Sequence, residues 1–206
     1  MMRFCSCVVV VLAVAASVTV AQNVVSVPKE TAQKLGKLMT QAAAEIEKPQ
    51  VKIEGDPAKT VAVAVLDVEG GIFLVPQKGL DEENLPDMTA KNGAPLGLFF
   101  SSSNLVPTAN GKLIDREMLH CLKVDDGRGI SEINCMLLSV RRISEEEYRL
   151  YGFGKAAKPL IDVEFTGGEG PGAEPVTLEI KEGDPALVVI TVFGKYQAKF
   201  PGGVAE

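Results

Sequence analysis

The chain has no tryptophan and a single histidine among its 206 residues, and its aromatics are limited to eight Phe and three Tyr. With His120 alone, any histidine-dependent hydrolase or multi-histidine metal site has only one candidate residue. No Gly-x-Ser-x-Gly segment is present, and the serines at 101–103 have no base close by in sequence, so the usual serine-hydrolase signature is missing. Ser26-Val27-Pro28-Lys29 matches Ser-x-x-Lys only in letters. The acidic tip Asp125-Asp126-Gly127 with Glu132 lacks the alternation of an EF-hand loop and reads as a solvated turn. The glycine-rich stretch 167–172 opens no helix, so it offers no amide array for phosphate. No internal repeat stands out. The sequence therefore points to no catalytic residue, no cofactor site and no metal site.

No apolar run reaches the roughly 20 residues needed to span a bilayer as a helix. The longest, Cys7 to Val20, follows Arg3 and leads into Thr19-Val20-Ala21, which reads as a secretory signal with cleavage before Gln22. Cys5 and Cys7 leave with it. Removing residues 1–21 leaves 185 residues, enough for one well-filled core. Arg3 is the one charge in the removed segment, so the net charge passes from −6 to −7. That balance argues against nucleic acid and anionic membrane as partners, since both select clustered Lys and Arg. A secreted or periplasmic chain without a membrane span after cleavage is expected.

The remainder divides into an N-terminal helical segment (22–50) and a β-rich domain (51–206). Leu35, Leu38, Met39, Ala42 and Ile46 recur at helical spacing within 28–48, Ser26 is placed to cap the helix, and Gly36 weakens it. Val61–Leu66 and Ile72–Val75 flank Gly70-Gly71 and read as a hairpin with positive φ in its turn. Gln77 to Ala94 is a polar excursion. Leu96–Phe100 returns to strand, and Pro107 to Gly111 is loop. Ser144-Glu145-Glu146-Glu147 has the form of a capping box and predicts a short helix to about Leu150. Ile161–Phe165, Val176–Ile180, Leu187–Phe193 and Tyr196–Phe200 carry the clearest strand signals. The expected fold is mostly β, with α+β possible: an antiparallel β-sandwich or partly closed barrel with one N-terminal amphipathic helix.

Ile114 to Arg142 reads as a central hairpin. If Asp125 faces Ser131, then Cys121 faces Cys135, and a disulfide between the two cysteines that outlast the signal is expected. A one-residue slip would instead leave two separate thiols. His120 neighbours Cys121 but points to the opposite face of a strand, so it is expected among Met118, Leu122 and Met136 rather than in a dyad. Tyr148, Tyr151 and Phe153 crowd one segment, forming an interaction patch if exposed and part of the core if buried. The function expected is an exported, non-enzymatic structural or interaction module that binds a protein or cell-envelope component. A carboxylate-dependent hydrolase and a carrier of small apolar ligands are the alternatives.

Overall fold

A computed structural model of the protein describes residues 24–82, 87–127, 129–168, 174–181, 183 and 185–205. The expected signal segment 1–21, with Cys5 and Cys7, lies outside them. Among the described residues, fourteen strands and one α-helix occur in the order β1 (Val24–Ser26), α1 (Lys29–Ala43), β2 (Val61–Val65), β3 (Gly70–Pro76), β4 (Ala94–Ser102), β5 (Leu105–Ala109) and β6 (Lys112–Leu113). The order continues with β7 (His120–Asp125), β8 (Ile130–Arg142), β9 (Tyr148–Phe153), β10 (Ile161–Glu164), β11 (Thr166–Gly167), β12 (Val176–Lys181), β13 (Ala186–Val192) and β14 (Tyr196–Val204).

The strands form two antiparallel sheets, and neither closes into a barrel. One runs β1-β2-β3-β4-β8-β9-β10 with β7 also on β8; the other runs β12-β13-β14-β5-β6 with β11 on β14. Strand β8 is long enough to take two neighbours along one edge. Ile130–Cys135 pairs with β7 and Leu137–Arg142 with β9, while β4 occupies the other edge.

The alternation along each strand decides what is buried where. Leu74, Leu96, Phe99, Met136, Leu138 and Leu150 of the larger sheet share a core with Val176, Leu178, Val188, Ile190, Ala198 and Phe200 of the smaller one. Phe99 meets Phe200 edge to face at 5.7 Å between ring centres. The other face of the larger sheet carries Val75, Leu98, Phe100, Cys135, Leu137, Tyr151 and Phe153, packed against Met39, Leu35, Leu38 and Ala42 of α1. Both faces of this sheet are therefore buried. Gly36 serves that packing, because a β-carbon there would lie 2.9 Å from Cβ of Thr60.

Several local expectations are corrected. Ser26 does not cap α1; it belongs to β1, opposite Val63, and Pro28 holds the cap position. In the β2–β3 turn the positive φ (47°) falls on Glu69, while Gly70 and Gly71 already belong to β3. Gly71 is needed in the strand, where a β-carbon would approach the Val63 carbonyl oxygen to 3.0 Å.

No helix follows Ser144. Its hydroxyl accepts hydrogen bonds from the Glu146 and Glu147 amides (3.4 and 3.1 Å), but these close the β8–β9 turn, and Tyr148–Phe153 is a strand. Alternation along β9 also divides the supposed aromatic patch. Tyr151 and Phe153 are buried on the α1 side, 6.0 Å apart, whereas Tyr148 lies at the edge of the core between the sheets.

Candidate functional site

The central hairpin forms with a register one residue away from the expected one. Asp125 pairs with Ile130, so Cys121 faces Asn134 and Cys135 faces His120. Successive residues alternate faces, which places the two sulfurs on opposite sides of the sheet. Both thiols are free, Cys121 exposed and Cys135 buried, and the expected disulfide is not formed. Burial pushes the Cys135 thiol far above its ordinary range, so it stays protonated and unreactive. Of these two thiols, only Cys121 is therefore expected to react with iodoacetamide in the folded protein, and Cys135 only in denaturant. Peptide mapping after alkylation checks this, and an adduct on Cys135 in the folded protein would contradict its burial.

His120 shares a face with Cys135 and Leu122, not with Met136, which points into the core between the sheets. Burial lowers the pKa of its imidazole; a hydrogen bond to the Gly154 backbone opposes that shift, and the Lys155 charge adds to it. Its Nε2 is buried without a partner. A depressed folded-state pKa means that the unfolded chain takes up the proton first. Stability is then complete above the ordinary histidine range near pH 6.5 and falls as pH drops through the folded value. Tm measured between pH 7.5 and pH 5 is expected to fall, and His120→Phe is expected to flatten that slope. An equal slope in the variant would assign the pH dependence to other groups.

The acidic hairpin tip closes on itself. Oδ1 of Asp125 accepts from the Gly127 amide (2.8 Å) and Oδ1 of Asp126 from the Gly129 amide (3.2 Å). Among the described residues, no group of three or more His, Cys, Asp or Glu is placed to hold a metal ion. Lys29 of the Ser-x-x-Lys match pairs with Glu174 at 2.9 Å. Glu69 and Glu132 line one groove beside α1, where Glu132 also faces Arg116 at 3.8 Å.

The feature with binding character is an apolar cleft at one end of the space between the sheets. Leu80, Leu96, Val140 and Val192 form its floor and walls, and Tyr148, Phe165, Phe193 and Tyr196 surround its mouth. The Tyr148 and Tyr196 rings lie 6.4 Å apart. Phe165 is held beside them through its amide, which donates to the Tyr148 carbonyl (2.8 Å). The cleft encloses about 90 Å³.

Phe193 reaches the cleft at a local cost. It occupies the first central position of the β13–β14 turn with φ of 53°, followed by Gly194 at 68°, and the Lys195 amide closes the turn on the Val192 carbonyl (3.1 Å). Val192 pairs with Tyr196, so the loop has three residues, and positive φ at both Phe193 and Gly194 gives the Val192–Lys195 turn the dihedral signs of type I′, which favours Asn, Asp or Gly at the first position. The β5–β6 turn meets the same demand with Asn110-Gly111, at φ of 52° and 73°. A bulky side chain in this region is disfavoured by roughly 1–2 kcal/mol, and such strain concentrates where a side chain serves binding.

Comparison with known proteins finds no matching family model, no similar curated protein and no similar solved structure. The site therefore rests on its own geometry.

The rim of the cleft is charged. Glu82 pairs with Lys195 across the mouth (2.7 Å) and raises the pKa of that ammonium. Asp87 precedes Met88 of the lining, and its two hydrogen bonds from Thr89 lower the pKa of its carboxyl. The Arg142 amide donates to the Met88 carbonyl (3.0 Å), bringing the Glu145-Glu146-Glu147 turn to the same end. Glu147 is engaged by Arg149 at 3.2 Å, and the Arg142 guanidinium by the Ser144 carbonyl at 3.0 Å. Of the expected patch only Tyr148 belongs here. Sequence reasoning does not single out Phe165, Phe193 or Tyr196, although an aromatic before glycine between two strand patterns is a signal the sequence carries.

Proposed function

We propose that this chain is an exported, non-catalytic binding module that takes an apolar anchor of a partner protein into the cleft formed by Tyr148, Phe165, Phe193 and Tyr196. The reading treats the two facing sheets as a β-sandwich and α1 as an amphipathic helix laid on its outer face. Phe193 carries the proposal, because a strained backbone keeps its ring at the mouth where asparagine or glycine would relieve the turn. The size of the cleft supports a side-chain occupant over a carried ligand, since small-molecule sites enclose roughly 300–1,000 Å³. For a carboxylate-dependent hydrolase, Glu69 and Glu132 share one groove, and the proximity of Arg116 to Glu132 favours an ion pair there over an acid–base role.

Phe193→Asn separates binding from folding, because the turn gains a residue suited to positive φ while the cleft loses a ring. Capture from the native extracytoplasmic fraction with wild type and variant side by side is the test. The expected result is a partner retained by wild type and lost from Phe193→Asn, with Tm of the two within a few degrees. Identical capture by both proteins would remove the cleft from the function.

A further inference from the structure

The floor and mouth of the cleft are apolar and aromatic, but its surroundings are not electrically neutral. Glu82, Asp87, Glu145 and Glu146 are exposed around it, with Glu147 half-buried beside Tyr148. Of the cations at this end, Lys195 pairs with Glu82 and Arg149 with Glu147, while Arg142 donates to the neutral Ser144 carbonyl. These five carboxylates outnumber the three cations by two, so an occupant arriving here meets a net negative rim around an apolar hole. Tyr148 and Tyr196 add ring faces that attract cations.

We propose that the occupant is a basic peptide segment of the partner: one apolar side chain entering between Phe193 and Tyr196, flanked by Lys or Arg residues that lie over the carboxylate rim. This rests on the binding-module reading and specifies its ligand. The apolar anchor supplies the buried contact, and the flanking cations supply orientation and encounter rate. An anionic lipid surface does not fit the same rim, because like charges would face each other across it.

The test uses the full mature chain and three defined probes: the amidated, acetylated peptides Lys-Lys-Leu-Lys-Lys, Glu-Glu-Leu-Glu-Glu and Lys-Lys-Ser-Lys-Lys. The readouts are fluorescence anisotropy of labelled peptide and the NMR ring resonances of Tyr148 and Tyr196. The Lys-Leu peptide is expected to bind at least tenfold more tightly than either control and to shift both tyrosines. Its advantage over the acidic peptide should shrink as ionic strength rises from about 0.05 to about 0.5 M. Glu145→Gln/Glu146→Gln, on an exposed turn, is expected to reduce that advantage several-fold, while Phe193→Asn abolishes the tyrosine shifts.

Equal binding of the Lys-Leu and Glu-Leu peptides, with the tyrosines still shifted, would overturn the charge assignment and leave the cleft as a site. Binding of Lys-Lys-Ser-Lys-Lys as tight as that of the Lys-Leu peptide would overturn the apolar anchor. If no peptide moves either tyrosine, and partner capture is unaffected by Phe193→Asn, both this inference and the binding-module reading fail. Binding to vesicles of anionic phospholipid would replace the peptide with a membrane and overturn the inference.

Discussion

Asn134→Leu is expected to destabilise the protein by about 3 kcal/mol, the upper part of the range for stranding buried polar groups. Asn134 is 2% exposed in the middle of β8. There the chain leaves the larger sheet at Ser102 and enters the smaller one at Leu105, and the Ser101 hydroxyl donates to the Leu105 carbonyl at 2.7 Å. The Asn134 amide nitrogen adds further donors: it bonds the Ser102 carbonyl at 3.2 Å, the Leu105 carbonyl at 3.3 Å and the Ser101 hydroxyl at 3.5 Å. Its oxygen accepts from Nε of Arg116 at 3.4 Å. Leucine has the same branched heavy-atom skeleton and is larger, so the loss would come from polar groups left without partners together with crowding, and not from a cavity. Asn134→Asp, which keeps the acceptor and removes the donors, should be at least as damaging. At 2–4 °C per kcal/mol for a chain of this size, Tm should fall by roughly 6–12 °C. A urea midpoint within about 0.5 kcal/mol of wild type, beneath the usual effect of a buried substitution, would show that the corner is held by something else.

Phe99→Ala should be costlier still, about 4 kcal/mol. Phe99 and Phe200 are both almost wholly buried, and their edge-to-face contact joins the two sheets. An apolar hollow bounded by Phe99, Ile72, Val106 and Val188 already lies beside the ring. Truncation would enlarge that hollow between two hydrogen-bonded sheets that cannot easily close over it. A double-mutant cycle of Phe99→Leu with Phe200→Leu should return a coupling of about 0.5–1.5 kcal/mol. Additive losses would mean that the rings contribute only through their separate burial.

What the sequence disclosed depended on how far each decision was local. Val176–Ile180 and Tyr196–Phe200 were legible because one side faces the core and the other carries Thr177, Glu179, Gln197 and Lys199. The register of the central hairpin was also readable, from a different pair of residues. Opposing the cysteines would have set Leu122 against Asn134 and Val124 against Glu132. The register that forms sets Leu122 against Ile133, on the face that α1 covers. Burial of an aliphatic pair outweighs the attraction of two thiols that happen to be symmetrically spaced. At Ser144 the capping signature was real, since the hydroxyl does bond two amides, but the β-favouring residues of Tyr148–Phe153 carry the chain into a strand instead of a helix. The cleft was hidden for a simpler reason. Its lining comes from the ends of β4, β8, β9, β13 and β14 and from Leu80, Met88, Phe165 and Phe193 in the connections, and no single stretch of sequence reveals that those parts converge.

The strand partners differ in how long they must wait for one another during synthesis. Strands β1 to β4 pair in succession as they emerge, each with a neighbour only recently made. Strand β5 follows β4 directly, yet its long pairing joins Pro107 to Gly202 and Leu105 to Val204. The ribosome must therefore reach Val204, about a hundred residues beyond β5, before the second sheet can close, and until then β5 presents a bare edge. That interval is when an unpaired strand is open to wrong partners, and β14 acts as the latch that ends it.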